Sequence, residues 1–264
     1  MPKPSSLQGK RETIVQLEPW KRVVAEGFDI ARKPDGFGIW LQDLLVAQEF
    51  RDRFRRETQI PLTYLHMLIK ACACGLKKYP LLNSMTDGKK LIVPSSIDVG
   101  VTVAGEASLA PVVVIRHADA KSLPEIVAEL REEGRQAREQ QRRDLEKLDK
   151  IGRWVPSMLR RRLLAWAVKN HTLRRKYVGT AQISILSDLT DFFVPMSLWT
   201  TVLWTMGRVA KRPIIVEDRI EIRPTMYLSL AIDHRMIAGK HSIEFGKEIQ
   251  RLLLHPTELD MGGP

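Results

Sequence analysis

A histidine between two charged residues marks the stretch LAIDHRMIAGKHSIEFG, residues 230–246, as one that could do chemistry. Asp233, His234 and Arg235 follow an apolar run and precede Gly239 and an amphipathic segment. Histidine is the side chain whose unperturbed pKa lies nearest neutrality, so it is the usual general base for taking a proton from a thiol or a hydroxyl. On this pattern alone, His234 is either such a base or a structural histidine at a turn.

The elements that must position His234 can be predicted from apolar spacing. The segment TMYLSLAID before it indicates a strand, and residues 240 to 254 after it indicate a helix. Two runs rich in valine and isoleucine, 97–104 and 112–116, indicate strands on either side of a loop that contains glycine and proline. Because runs of strands are separated from the helices, we expect an α+β fold.

The positive charge of the chain is concentrated in one region. The formal net charge is +11, and residues 141–176 contain twelve Lys/Arg against three acidic residues, so +9 lies there. The rest of the chain is nearly neutral. This distribution argues against a nucleic-acid-binding protein, whose basic surface would be more widespread.

Compartment and metal binding can also be predicted. The first fifteen residues lack an apolar core of signal-peptide length, and no later apolar run is long enough to span a membrane, so we expect a cytoplasmic protein. The two cysteines, Cys72 and Cys74, lie two apart in a segment that reads as a helix and therefore point in divergent directions. We expect them to be small core residues and to form neither a disulfide nor a metal site.

Six segments follow one another in a distinctive order along the chain. They are LEPWKRVVAEGF, LTYLHMLIKACACGLKKYPLLNS, IDVGVTVAGEASLAPVVVIRHADAKSLPEI, TAQISIL, MGRVAKRPIIVEDRIEIRP and LAIDHRMIAGKHSIEF. In this order they resemble the catalytic domain of the dihydrolipoamide acyltransferases, the core subunits of 2-oxo acid dehydrogenase complexes. The resemblance covers about residues 12–256. It implies a single catalytic domain, 1–264, with the fold of chloramphenicol acetyltransferase: a two-layer sandwich in which helices pack on a mixed β-sheet.

The resemblance also implies a mechanism. His234 falls on the family's catalytic histidine, which deprotonates the thiol of coenzyme A or of dihydrolipoamide, and Ser184 falls on the serine that donates to the tetrahedral oxyanion. Asp233, Arg235, Ala238 and Gly239 form the loop that supports His234. Coenzyme A or acyl-CoA is then a substrate and no metal takes part. The site lies between neighbouring subunits, so a homotrimer or a higher multiple of trimers is implied. On spacing alone, Ser184 could equally occupy an ordinary alternating strand position.

The sequence departs from the family at the supporting loop and in its extent. Ala238 replaces an aspartate that braces the histidine loop in relatives, and alanine cannot accept a charge-assisted hydrogen bond. Ile185 follows Ser184 where the family commonly has asparagine. No lipoyl or subunit-binding domain is expected, and no covalent lipoyl group, so the acceptor would be a lipoylated or acyl-carrier protein in trans, or a small molecule. Two other readings remain: a weak or inert core homologue that scaffolds or binds acyl groups, and a free-standing O- or N-acetyltransferase.

Residues 150–176 are expected to form a basic helical insertion, longer than the family's usual connection between the preceding helix and the strand TAQISIL. We expect an apolar stripe on one face and a basic opposite face that includes Arg160. The stripe is formed by Met158, Leu159, Leu163, Trp166, Ala167 and Leu173, and the basic face by Arg160, Arg161, Arg162 and Lys169. Three interpretations remain open: a helix packed on its own trimer, an anionic membrane surface as partner, or a docking site for an acidic carrier or the phosphates of coenzyme A.

Overall fold

The computed structural model describes residues 17–33, 35–86, 89–103, 110–185, 191–194, 199–235 and 237–260. The helices are α1 (Pro19–Ala31), α2 (Leu45–Thr58), α3 (Tyr64–Lys78), α4 (Leu123–Trp154), α5 (Ser157–Lys169), α6 (His171–Val178), α7 (Gly239–Leu254) and α8 (Thr257–Asp260), with a 3₁₀ turn at Pro80–Asn83. The strands are β1 (Asp35–Asp43), β2 (Met85–Thr86), β3 (Leu91–Ile92), β4 (Val99–Thr102), β5 (Val112–Ile115), β6 (Ala181–Ile185), β7 (Val202–Met206), β8 (Ala210–Val216) and β9 (Arg219–Asp233).

One mixed sheet dominates the fold. Its order is β1-β9-β7-β6-β4-β5, and β8 pairs with the first half of β9. The central strands β4, β6 and β7 are parallel, and the remaining pairs are antiparallel. The β8–β9 hairpin turns at Glu217 and Asp218, both with positive φ, as a tight two-residue turn between twisted strands requires. The strand predicted before His234, TMYLSLAID, is confirmed as the second half of β9.

An apolar face of the sheet packs against helices. Trp204 on β7 contacts Trp40 on β1 at 5.7 Å and Phe245 on α7 at 5.8 Å between ring centroids. Helix α3 packs against α7, and Cys72 and Cys74 are buried free thiols within it, as expected. A sheet with helices on its apolar face agrees with the predicted α+β class.

Two local predictions differ from the structure. The strand predicted for TMYLSLAID begins earlier than expected, as part of the longer strand β9, because the first half of β9 pairs with β8 and its second half with β1 and β7. The basic insertion holds two helices, α5 and α6, because the Asn170 side chain accepts a hydrogen bond from the Leu173 N–H at 3.0 Å and starts a new helix. Among the described residues, none of the helices combines the length and apolarity that crossing a bilayer requires.

The predicted position of Arg160 on α5 is wrong. Arg160, expected on the solvated face, is buried, whereas Met158, Leu159, Leu163 and Trp166 are exposed. The reason is an acidic partner on α1: the Arg160 guanidinium binds the Glu26 carboxylate at 2.6 and 2.9 Å. A buried, paired arginine therefore fixes the inner face of the helix and turns its apolar residues outward.

Candidate active site

His234 lies in the turn between β9 and α7. It is exposed, and its ring lies against the edge strand, where a Cβ placed on Gly36 would be only 3.1 Å from the His234 Cδ2 atom. Glycine at this position therefore leaves room for the imidazole beside β1. The ring borders a pocket of about 280 Å³. The pocket is otherwise lined by Gly36, Phe37, Gly38, Trp40, Leu230, Ile232, Gly239, Ser242 and Ile243.

Asp233, the last residue of β9, anchors the loop that carries His234. Its carboxylate accepts hydrogen bonds from Arg235 Nε at 2.9 Å and Nη2 at 2.7 Å, and from the Arg235 backbone N–H at 3.2 Å. Lys33 Nζ lies 3.3 Å from the same carboxylate and also donates to the Thr200 carbonyl. The Lys33 and Asp233 side chains are only 4% and 3% exposed. The residues on both sides of the imidazole are thus paired with each other, and Asp233 is also paired with the buried Lys33.

The charge of Asp233 is stabilised by these partners. Burial alone raises the pKa of the carboxyl, but the Arg235 hydrogen bonds and the Lys33 and Arg235 charges outweigh that effect, so the pKa is lowered overall. Asp233 is therefore an anion near neutral pH and a structural anchor. Lys33 could not be identified from local sequence patterns, because it reaches Asp233 only through the antiparallel pairing of β1 with β9.

Ala238 and Gly239 begin the last helix. Ala238 is the N-cap of α7, is exposed, and makes no side-chain capping hydrogen bond. Its carbonyl accepts from the His241 N–H at 3.1 Å, and the Ser242 hydroxyl donates to the Gly239 carbonyl at 2.7 Å. Ala238, expected to replace a bracing aspartate, is therefore a helix N-cap, and the ion pairs in this loop are made by Asp233 on the other side of His234.

Ser184 lies on β6, opposite Thr102 on β4 and Thr205 on β7. Thr205 is in turn opposite Ser229 on β9, so a row of hydroxyl side chains crosses the sheet on one face. The hydroxyls of Thr205 and Ser229 are buried and lack a hydrogen-bond partner among the described residues. Sequence reasoning missed this row, although the signal was present as single hydroxyl residues inside the apolar strands VLWTM and YLSLAID.

Ser184 and His234 are not brought together within one chain. Strand β7 is parallel to β6 and antiparallel to β9, with Ser184 level with Thr205 and Ile232 level with Val202. His234 is two residues beyond Ile232, so the two side chains are about 17 Å apart along the strand direction, at ~3.3 Å per residue. A site that uses both residues therefore requires two copies of the chain.

Comparison with known proteins identifies relatives of this chain. The family model for 2-oxoacid dehydrogenases acyltransferase (catalytic domain) matches residues 42–147 and 191–261, so His234 lies in a matched range and Ser184 lies between the two. The dihydrolipoyllysine-residue succinyltransferase component of the 2-oxoglutarate dehydrogenase complex of Bacillus subtilis is 28% identical over 214 residues, which cover 81% of this chain and 45% of that protein. The chain spans about half the length of the curated relatives it matches.

Solved structures share the fold. The cubic core of the pyruvate dehydrogenase multienzyme complex has a TM-score of 0.71 at 22% identity, with 98% of each chain covered. A chloramphenicol acetyltransferase has a TM-score of 0.51 at 16% identity, with 91% of this chain and 99% of that chain covered. The predicted chloramphenicol acetyltransferase-like fold is confirmed. Because the matched ranges cover more than half of the sequence, the protein belongs to the family of 2-oxoacid dehydrogenase acyltransferase catalytic domains.

Proposed function

We propose that this protein transfers acyl groups to or from coenzyme A, with His234 as general base and Ser184 of a neighbouring subunit as oxyanion donor. The observation that carries the proposal is the position of His234, exposed beside a pocket and held between two anchored residues. The pocket has room for a slender thiol-bearing arm, such as the end of coenzyme A or dihydrolipoamide.

The proposed chemistry follows from these groups. The neutral imidazole of His234 takes the proton from the attacking thiol, because the thiolate and not the thiol is the nucleophile. The sulfur then attacks the carbonyl carbon of the acyl thioester, and negative charge develops on the thioester oxygen. The Ser184 hydroxyl donates a hydrogen bond to that oxygen. The tetrahedral intermediate collapses, the second thiolate leaves, and it takes back the proton from His234.

Exposed apolar strand residues support assembly into a trimer or a multiple of trimers. Phe37, Ile39 and Leu41 on the edge strand β1 are all exposed. Ile39 lies opposite Ser229, so these residues share the face that carries the Ser184 row. An edge strand with exposed apolar residues is a surface that a second copy would cover. We propose that this contact brings Ser184 of one subunit toward His234 of the next.

The acyl acceptor is proposed by class only. The curated relatives are named as succinyltransferases that act on a dihydrolipoyllysine residue. For this chain we propose a lipoylated or acyl-carrier protein acting in trans, with the thiol at the end of its prosthetic arm entering the pocket beside His234. A small hydroxyl- or amine-bearing acceptor is the alternative substrate class.

The test measures thiol exchange with acetyl-CoA and succinyl-CoA, with dihydrolipoamide, a free alcohol or a free amine as acceptor. We expect His234→Ala to lower kcat by at least about a hundredfold and Ser184→Ala by about a hundredfold. His255→Ala removes another exposed histidine, at the far end of α7, and serves as the matched control. Equal rates for wild type and His234→Ala with every acceptor would reject the enzymatic proposal.

A weak or inert homologue is the second candidate, because Ala238 leaves the N-cap of α7 without a side-chain hydrogen bond. In that case the protein would keep the assembly and the pocket while the chemistry is lost. Acyl-CoA binding without turnover, measured by calorimetry on the protein used in the exchange assay, would favour this function over catalysis.

A further inference from the structure

Helix α5 presents apolar side chains to solvent from a part of the chain that the proposed chemistry does not use. Trp154, just before α5, is 78% exposed, and Met158 is 70% exposed. Trp166, Leu163 and Leu159 are 59%, 53% and 50% exposed. Exposure of tryptophan and leucine side chains to water is unfavourable in free energy. A group of them on one helix therefore marks a contact surface.

Contacts on the buried side of α5 fix the orientation of the helix and so keep these apolar side chains exposed. The Arg160 guanidinium binds the Glu26 carboxylate and also donates to the carbonyls of Gly152 at 3.1 Å and Val155 at 2.7 Å. At Gly152 a Cβ would come within 2.1 Å of the Pro19 carbonyl oxygen, so only glycine allows α4 and α1 to approach so closely. Helix α5 is therefore fixed to α1 through charged and close-packed contacts.

The charged residues of the segment 150–176, which contains these apolar side chains, are all of one sign. Residues 150–176 contain nine Lys/Arg and no Asp or Glu. Arg161, Arg162 and Lys169 are exposed on α5 and make no ion pair within the described part of the chain. Met158, Arg162 and Trp166 are spaced four residues apart, so they lie along one line of the helix surface. Cationic and apolar groups thus alternate on the same exposed side.

An anionic lipid bilayer satisfies both properties of this surface at once. Tryptophan and aliphatic side chains enter the interfacial region of a membrane, and neighbouring lysine and arginine side chains bind the lipid phosphates. A second copy of the same surface would bring like charges together, and a partner that supplied only negative charge would leave the tryptophans in water. We define the α5 surface by its apolar and its cationic side chains. They are Trp154, Met158, Leu159, Leu163 and Trp166, with Arg161, Arg162 and Lys169.

We propose that the α5 surface docks this protein on membranes that contain anionic phospholipid. The helix lies in the plane of the interface: Trp154, Met158 and Trp166 enter the headgroup boundary, and Arg161, Arg162 and Lys169 bind phosphates. This binding does not depend on the proposed acyl transfer, since none of these residues lies in the loop of His234 or on the strand of Ser184.

Co-sedimentation of the full chain with vesicles tests the proposal, using phosphatidylcholine alone and phosphatidylcholine mixed with phosphatidylglycerol at low salt. We expect binding only to the mixed vesicles, and weaker binding as salt rises. Arg161→Gln with Arg162→Gln should lower the partition coefficient about thirtyfold, since each cation contributes about a factor of five. Met158→Ser with Trp166→Ser should lower it roughly tenfold or more. Val93→Ser and Lys247→Gln, at exposed positions on other elements, should have no effect.

Other results would overturn the proposal. The proposal fails if the wild-type protein stays in the supernatant when it is mixed at low salt with vesicles that contain phosphatidylglycerol. A loss of binding in the arginine variant that the Met158 and Trp166 variant does not share would point to an acidic soluble partner. Dissociation of the oligomer by the Met158 and Trp166 variant, measured by light scattering, would identify the surface as a contact between copies. Thermal melts and thiol exchange of each variant establish that the fold is intact, so a failure of docking is distinguished from a failure of catalysis.

Discussion

His234, in the turn after β9, and Ser184, on β6, stand at opposite ends of the strands of one β-sheet, in which β7 separates β9 from β6. The residue proposed to remove the proton and the residue proposed to stabilise the oxyanion therefore cannot meet within one chain. Under the proposed mechanism, each chain therefore contributes His234 to one site and Ser184 to another. This arrangement makes subunit mixing a direct probe of the proposed mechanism.

Chains that each lack one half-site should restore activity together. In a cyclic trimer that contains both His234→Ala and Ser184→Ala chains, one interface joins an intact His234 to an intact Ser184. Random co-assembly of equal amounts should therefore give about a quarter of wild-type activity, although each variant alone is nearly inactive. The measurement is thiol exchange after co-refolding. Mixtures no more active than the separate variants would show that the two residues do not share a site across subunits.

The buried ion pair of Lys33 with Asp233 should be important for stability. Asp233→Asn leaves the Lys33 ammonium buried without its counter-charge, so we expect the free energy of unfolding to fall by about 3 kcal/mol. Lys33→Met should cost less, because Arg235 still pairs with Asp233. Urea unfolding of both single variants and the double variant gives the coupling. A double variant whose loss equals the sum of the two single losses would contradict a direct interaction.

Restoring a carboxylate at position 238 should stabilise the start of α7. Ala238 has extended backbone angles and no side-chain cap, so Ala238→Asp should raise the free energy of unfolding by about 1 kcal/mol. Ala238→Asn caps without a full charge and is the matched control. If activity rises only in the aspartate variant, charge at this position supports the His234 loop. Equal gains in both variants would assign the effect to capping alone.

His66 should make stability depend on pH between about 6.5 and about 4. Burial, with a smaller contribution from the Arg55 charge, lowers the pKa of His66 from 6.5 to about 4. Its Nδ1 accepts a hydrogen bond from the Thr63 N–H at 3.0 Å, which protonation would remove. In this window the unfolded chain binds a proton that the folded chain does not, so stability falls as pH falls, by up to about 3 kcal/mol.

His66→Gln tests this dependence because glutamine can accept the same hydrogen bond but does not titrate. Its free energy of unfolding should change less than that of wild type between pH 6.5 and 4. Asp98 and Asp233, whose pKa values are lowered by their partners, lose their contributions only below about pH 4, which separates the two effects. Identical pH profiles for wild type and His66→Gln would rule out the assigned role.

The strands and the histidine loop could be predicted because their signals are local. Alternating and continuous apolar runs identified the strand before His234 and the helix after it, and the order of segments identified the family. The brace from Lys33 could not be predicted, since it depends on the register between β1 and β9. The position of Arg160 was predicted wrongly, because helical spacing alone groups it with the other cations of α5. A carboxylate on a distant helix, Glu26, decided which face is buried.

The rigid attachment of α5 to α1 through Arg160 and Glu26 has a consequence for avidity. In the proposed trimer, cyclic symmetry sets three α5 surfaces at one height, so a bilayer perpendicular to the axis that meets one meets all three. Once one copy is docked, the others act at high effective concentration. Modest affinity per chain would then give long residence for the assembly, and detachment would become a cooperative response to the anionic lipid content of the membrane.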